Sequence, residues 1–166
     1  MKTRTLGVCL LLLINVSFIK GQSLADKVDM WMGTYGAGHC VVGPQLPHGS
    51  VNPSPQTANG GHAGYVPDQP IRGFGQLHVS GIGWGRYGQV LLSPQVGFNP
   101  GEKGHDSPKQ DEVATPYYYK VMLNRYNIQV EVSPTHHCAA YRFTFPETDQ
   151  GNILLDIAHN IPQHIV

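Results

Sequence analysis

The chain has 166 residues, with 11 basic and 11 acidic side chains and a formal net charge of zero. This balance argues against nucleic acid, an anionic membrane surface or a highly charged ligand as a partner. The 20 glycines and 13 prolines favour many short strands joined by turns over a helical bundle.

The first 21 residues are predicted to be a signal peptide. Lys2 and Arg4 precede an apolar run from Leu6 to Ile19, and the small residue Gly21 follows it. The run is too short to be a stable membrane anchor, and no later segment approaches the roughly 18 consecutive apolar residues of a transmembrane helix. We therefore expect residues 22–166 to be exported, to the periplasm or to the outside of the cell.

Residues 33–65 are rich in glycine, proline, asparagine and serine and show almost no periodicity. This composition predicts long ordered loops carried on a rigid β scaffold. Strand signals follow at 74–80 and 89–93, on either side of a glycine-rich stretch from Ser80 to Gly88 that contains Trp84. An exposed indole ring offers a face on which a sugar can stack, so this stretch is a candidate binding loop. The alternative is that Trp84 folds back into the core.

The second half of the chain carries clearer strand patterns. Residues 97–113 are polar and charged and predict a solvated surface excursion. Strands are then expected at 117–123, 128–132, 141–145 and 153–158, several with apolar side chains on one face. The predicted fold is all-β, an antiparallel β-sandwich with long ordered loops. Because the chain stops soon after a strong strand, we expect the domain to be incomplete.

Motifs for metal binding and hydrolysis are missing from the sequence. The nine histidines are scattered, without a His-Glu-x-x-His or Cys-x-x-Cys pattern. Cys40 and Cys138, which follow the leader, are compatible with one disulfide or with two free thiols. Asp29, Asp68 and Asp156 are the carboxylates close to candidate loops or strands, and they predict no acid/base pair for glycoside hydrolysis. No catalytic residue is therefore assigned.

Several segments, taken together and in order, resemble the N-terminal domain of family 92 glycoside hydrolases. Residues 28–34 and 36–39 are similar to the Val-Asp-Pro-Phe-Ile-Gly-Thr opening of that family and its Gly-His loop. Residues 71–74 and 78–81 resemble its Gly-Phe-Ser-His-Thr-His-Leu-Ser-Gly stretch, and residues 117–119 to 145–146 continue in register. The resemblance covers nearly all of the chain after the leader.

The resemblance implies a parent protein that is a secreted, calcium-dependent, inverting exo-α-mannosidase acting on terminal α-mannosides. Its β-sandwich packs against an (α/α)₆ catalytic domain that is missing from this chain, and that domain supplies most catalytic carboxylates and calcium ligands. The fragment alone is then expected to be inactive. Trp84 matches a loop tryptophan that lines the leaving-sugar subsite in members cleaving α-1,2 linkages. His39 and His78 lie near the cleft, where they either bind sugar hydroxyls or satisfy backbone groups of the loops.

Three departures from the family pattern leave the sugar and the linkage open. Gln76 stands where a histidine is frequent, Gln89 where an aspartate is usual, and His137 where an arginine is common. A divergent subgroup acting on another α-glycoside is compatible with these changes. A carbohydrate-binding β-sandwich module without catalysis fits the same features, and so does a secreted structural β-sandwich.

Overall fold

The computed structural model describes residues 23–36, 38–58, 61, 63–78, 88–159 and 161. The predicted signal peptide and Trp84 lie outside these residues. The described part is nearly all β, with a short 3₁₀ helix at Leu24–Lys27 and one turn of α-helix, α1, at Glu102–His105. Its strands are β1 Ser54–Thr57, β2 Ile71–Gly75, β3 Leu91–Val96, β4 Lys109–Thr115, β5 Tyr118–Leu123, β6 Ile128–Pro134, β7 Ala139–Thr144 and β8 Gly151–Asp156.

The strands form two four-stranded antiparallel sheets, as the predicted β-sandwich requires. The first sheet has the order β1-β2-β3-β8, and the second is a meander with the order β4-β5-β6-β7. Strand β8 crosses back from the second sheet to pair with β3, in a register that joins Leu91 to Asp156. The fold class predicted from the sequence is therefore confirmed.

The core lies between the sheets and follows the period-two alternation of the sequence. Phe74 of β2 packs against Tyr119 of β5 and Tyr141 of β7, with ring centroids 6.4 and 6.3 Å apart. Val121 and Val130, on facing positions of β5 and β6, are fully buried. Successive side chains of a strand point to opposite faces, so β5, β6 and β7 alternate between more and less buried residues, whereas β2 is buried at four of its five positions.

The structure corrects part of the prediction for residues 97–113. Residues 98–103 are exposed, as a solvated segment requires, but the segment also contains α1 and the start of β4, which pairs with β5. The charged side chains of Lys109 and Glu112 are mostly buried, because they pair with each other and with tyrosine hydroxyl groups. Buried charges are tolerated when they are paired and hydrogen-bonded.

Two smaller outcomes concern strand bounds and the cysteines. The strand predicted at 74–80 begins earlier, at Ile71, and ends at Gly75. The sequence was compatible with a disulfide or with two free thiols. In the structure, Cys40 and Cys138 are both free thiols. Within the described ranges, no helix is long and apolar enough to cross a membrane.

Candidate functional site

One end of the first sheet gathers four segments that are distant in sequence. Ser54 pairs with Gly75, so the start of β1 lies beside the end of β2. Leu91 pairs with Asp156, so the start of β3 lies beside the end of β8. The residues that flank these strand ends, among them His78 and His159, therefore lie together at this end of the first sheet, which forms one edge of the domain.

The glycine-rich stretch leaves and rejoins the sheet at this edge. The backbone N–H of Gly88 donates to the carbonyl of Leu77 at 2.8 Å, which joins the two ends of segment 79–87. We call Leu77, His78 and Gly88 the neck. Segment 79–87 itself, including Trp84, lies outside the described residues.

His78 is the buried side chain of the neck, with 8% of its surface exposed. Its Nδ1 lies 3.1 Å from the backbone carbonyl of Asn52, and its backbone N–H donates to Oδ1 of Asn52 at 2.6 Å. Its Nε2 lies 3.2 Å from Nε2 of Gln56. Both ring nitrogens thus face protein groups, an arrangement that matches the backbone-satisfying interpretation of this residue.

Gln56 connects the neck to the end of β8. Its Nε2 donates to the carbonyl of Gly88 at 3.1 Å, and its Oε1 lies 2.6 Å from Nε2 of His159. The Gly88 carbonyl only accepts hydrogen bonds, which fixes the orientation of the Gln56 amide. It follows that His78 accepts at Nε2 and carries its proton on Nδ1, whereas His159 carries its proton on Nε2.

Both histidines are held in the neutral form by their surroundings. Burial lowers the pKa of His78 to about 4; the bond to Asn52 opposes this shift, and the nearby His159 adds to it. Burial also lowers the pKa of His159, against the attraction of Asp156, whose Oδ2 lies 3.9 Å from Nδ1. Neutral imidazoles are what the hydrogen-bond pattern around Gln56 requires, because Nε2 of His78 must accept.

Glycines make room for the Gln56 amide. A Cβ atom added to Gly75 or to Gly88 would overlap with Nε2 of Gln56, and Gly88 also has a φ of +86°. Only glycine combines this close approach with a left-handed backbone at low cost. The amide therefore occupies a slot between the end of β2 and the point where the chain rejoins the sheet.

The other predicted sugar contact, His39, occupies a loop. It has a φ of 50° and is half-buried, and a Cβ atom built on Gly61 would lie 4.0 Å from its Nδ1. His78, which was also predicted to contact sugar, forms its contacts with Asn52 and Gln56. The roles of His39, His78 and Trp84 in sugar binding remain predictions.

The three aspartates considered in the sequence lie on separate segments. Asp29 accepts from the N–H of Trp31, and Asp156 accepts from the N–H of Ala158. Asp68 lines a surface cavity of about 410 Å³ beside Lys109. Among the residues that the structure describes, no group of three or more His, Cys, Asp or Glu side chains is arranged to hold a metal ion.

The three residues that depart from the family pattern, Gln76, Gln89 and His137, differ from one another in their surroundings. Nε2 of Gln76 donates to the hydroxyl of Tyr141 at 2.5 Å, which ties the end of β2 to the second sheet. His137 is exposed, with Nδ1 3.1 Å from Oγ of Ser50. Gln89, directly after the neck, is exposed as well.

Sequence reasoning missed Gln56, Asn52 and His159 as parts of this edge. A neutral amide inside a strand gives no periodic or motif signal, and Gln56 precedes its partners His78, Gly88 and His159 by 22, 32 and 103 residues. Only the glycines at positions 75 and 88 hinted at a close approach of another group.

The chain matches known glycoside hydrolases in sequence and in structure. The model of the glycosyl hydrolase family 92 N-terminal domain matches residues 27–165. A protein of Arthroderma benhamiae, named an uncharacterized secreted glycosidase, is 29% identical over 152 residues, which cover 82% of this chain and 20% of that protein.

Two solved structures of a family GH92 alpha-mannosidase from Bacteroides thetaiotaomicron also match, one of them in complex with mannoimidazole. Each aligns with a TM-score of 0.76 and 30% identity, covering 84% of this chain and 20% or 21% of the solved chain. The chain therefore spans about a fifth of the length of these relatives.

Proposed function

Because this chain belongs to glycoside hydrolase family 92, of which it carries the N-terminal domain, we propose that its parent polypeptide is a secreted exo-α-mannosidase. The proposed reaction is the calcium-dependent, inverting hydrolysis of terminal α-mannosides, with α-1,2 linkages as the first candidates. The observation that carries the proposal is the match, at 30% identity and a TM-score of 0.76, to an alpha-mannosidase solved with mannoimidazole. The secreted relative from Arthroderma benhamiae supports export.

The proposed catalytic groups and calcium ligands lie on a further domain of the same polypeptide. The described residues offer no donor cluster for a metal ion. Strand β8 is an edge strand whose Ile153 and Leu155 are 46% and 53% exposed, and Ile157, directly after the strand, is 75% exposed. Aliphatic side chains aligned on one strand face are typical of a surface that other protein covers, which supports a partner domain.

The proposed contribution of this domain is one wall of the sugar-binding cleft. Trp84 stacks on the sugar that leaves, and His39 contributes hydrogen bonds to sugar hydroxyls. His78 acts at the base of the same wall, where it anchors the segment that carries Trp84. Loops carried by a rigid β scaffold are a common way to build a binding site.

If the catalytic groups lie on a further domain and this domain forms one wall of the cleft, catalysis requires the whole polypeptide. We expect the full-length protein to hydrolyse α-1,2-mannobiose in the presence of calcium and to lose this activity in EDTA, whereas residues 22–166 alone show no turnover. The measurement is mannose release with both proteins at equal concentration. Calcium-dependent turnover by residues 22–166 would contradict the proposal, and binding without turnover by the full-length protein would favour the carbohydrate-binding module.

Replacing Trp84 by alanine is expected to lower kcat/KM for α-1,2-mannobiose about tenfold, since a stacking contact contributes roughly 1.4 kcal/mol. An aryl α-mannoside, whose leaving group is not a sugar, should be affected much less if Trp84 contacts the leaving sugar. The matched control is Phe98→Ala, which removes an aromatic side chain that is 72% exposed. Equal losses on both substrates would place Trp84 outside the leaving-sugar subsite.

A further inference from the structure

A surface cavity lies at the end of β2 opposite to the neck. It is formed by two segments, one leading into β2 and one at the start of β4, which contribute Pro67, Asp68, Gln69, Pro70, Pro108 and Lys109. We call it the proline cavity. Its volume of about 410 Å³ lies within the range of about 300–1,000 Å³ that is usual for small-molecule sites.

The two segments that form the proline cavity are held together by backbone hydrogen bonds. The N–H of Ile71 donates to the carbonyl of Ser107 at 2.9 Å, and the N–H of Ser107 donates to the carbonyl of Ile71 at 2.8 Å. The N–H of Ala58 donates to the carbonyl of Pro70 at 2.9 Å. The proline rings restrict the backbone further, because each fixes φ. The cavity is therefore formed before a ligand arrives, which lowers the entropic cost of binding.

Three polar side chains of the proline cavity keep hydrogen-bonding capacity. Among the residues that the structure describes, the exposed carboxylate of Asp68 and the amide of Gln69 have no hydrogen-bond partner. Nζ of Lys109 donates to the hydroxyl of Tyr65 at 2.7 Å and lies 3.0 Å from Oε2 of Glu112. Within the described ranges these are its two acceptors, and an ammonium group has three N–H donors, so one remains for a ligand.

The chemistry of this lining favours a neutral ligand that is rich in hydroxyl groups. Asp68 and Lys109 carry opposite charges, so a charged ligand would be attracted by one of them and repelled by the other. A hydroxyl group can donate to a carboxylate and accept from an ammonium group. The three proline rings offer apolar walls against which the C–H groups of a sugar ring can pack. A sugar combines both kinds of surface.

We propose that the proline cavity binds a sugar residue of the neutral glycan on which the parent polypeptide acts. This inference rests on the proposed function, from which the glycan is taken. The carboxylate of Asp68 and the amide of Gln69 bind sugar hydroxyl groups, and the ammonium group of Lys109 donates its remaining N–H. A sugar held at this position adds to the affinity of the polypeptide for a long glycan.

The test follows hydrogen exchange by mass spectrometry in the full-length polypeptide, titrated with α-1,2-mannobiose in EDTA to prevent hydrolysis. We expect the sugar to slow exchange in peptides that cover residues 66–70 and 108–110. Asp68→Ala should raise the apparent Kd for this protection about tenfold, because it removes a hydrogen bond to a charged group. Lys109 is not replaced, since it is the counter-charge of Glu112.

Asp149→Ala provides the matched control, because it makes the same change of charge at another exposed residue and should leave the protection unchanged. A parallel titration with inorganic phosphate tests whether the cavity prefers a neutral ligand. The inference is overturned if mannobiose protects neither peptide, or if phosphate protects them and mannobiose does not. It is also overturned if Asp68→Ala leaves the protection unchanged, or if Asp149→Ala weakens it equally.

Mannose release in calcium tests the proposed function separately. Hydrolysis of α-1,2-mannobiose without protection of the two peptides would reject the sugar site in the proline cavity and leave the proposed function standing. Protection that depends on Asp68, without hydrolysis, would support the sugar site and place it in a carbohydrate-binding module.

Discussion

Replacing Glu112 by glutamine is expected to lower the free energy of unfolding by about 3–5 kcal/mol, because it leaves a buried lysine without its counter-charge. Glu112 lies 3.0 Å from Nζ of Lys109, and the two side chains are only 14% and 11% exposed. The hydroxyl groups of Tyr65 and Tyr119 both donate to Oε1 of Glu112. One carboxylate therefore satisfies three donors between β4, β5 and the loop that carries Tyr65.

The pKa shifts of the partners agree with this assignment. Burial lowers the pKa of Lys109, and Glu112 opposes that shift. Burial, reinforced by Glu112, raises the pKa of Tyr65 and of Tyr119, so both phenols remain hydrogen-bond donors at neutral pH. Without the carboxylate, the ammonium group of Lys109 must either stay charged in a mostly buried site or release its proton. Either outcome costs folding free energy.

Urea unfolding at pH 7 measures the loss, with Glu147→Gln as the control because Glu147 is exposed. The double variant Lys109→Met/Glu112→Gln should recover much of the stability, since it removes the unpaired charge while a side-chain oxygen remains for the tyrosines. A loss below about 1 kcal/mol in the single variant would mean that the pair behaves like a surface ion pair. A double variant as unstable as the single one would contradict the role assigned to charge.

This charged cluster also explains where sequence reasoning failed. Charges at Lys109 and Glu112 indicate solvent exposure when each residue is considered alone, because burial becomes acceptable only through partners that the sequence does not identify. Tyr65 lies 44 residues from Lys109 and 47 from Glu112. In β7, by contrast, burial follows the alternation of apolar and polar residues in the sequence, since Tyr141 and Phe143 are the more buried residues and Arg142 and Thr144 are exposed.

In the candidate site, too, some features could be predicted from the sequence and others could not. Glycine-rich composition and motif order were enough to predict the β-sandwich and to locate the stretch from Ser80 to Gly88, because glycine and turn residues act locally. The anchoring of that stretch was not predictable, because it depends on which residues of β1 and β8 meet at the sheet end. That meeting is set by strand order and register, for example Ser54 against Gly75, which no local pattern encodes.

The domain is expected to lose stability in mild acid because of His78. Its pKa lies at about 4 in the folded protein, below the ordinary value of 6.5. Between these two values the unfolded chain binds a proton that the folded chain does not, so stability falls as the pH falls from 6.5 to 4. The full difference corresponds to about 3 kcal/mol and is reached below pH 4. His159, whose pKa is also lowered by burial, acts in the same direction.

The comparison that isolates this effect is unfolding free energy against pH for the unmodified chain and for His78→Asn. Asparagine can still donate to the carbonyl of Asn52 but cannot take up a proton, so the variant should be less stable at pH 7 and lose less stability toward pH 4. His48→Asn is the control, because His48 is exposed and has a φ of 59° that asparagine tolerates. Parallel pH profiles for His78→Asn and the unmodified chain would contradict the prediction.

Protonation of His78 has a local consequence as well as a global one. A protonated imidazole carries hydrogen on Nε2, which then faces the amide N–H of Gln56 instead of accepting from it. Two hydrogen-bond donors then face each other at 3.2 Å and repel, which strains the bond from Gln56 to the carbonyl of Gly88. Protection of the Gly88 N–H against hydrogen exchange, taken relative to the intrinsic exchange rate at each pH, should therefore fall at a higher pH than the one at which the sheets unfold.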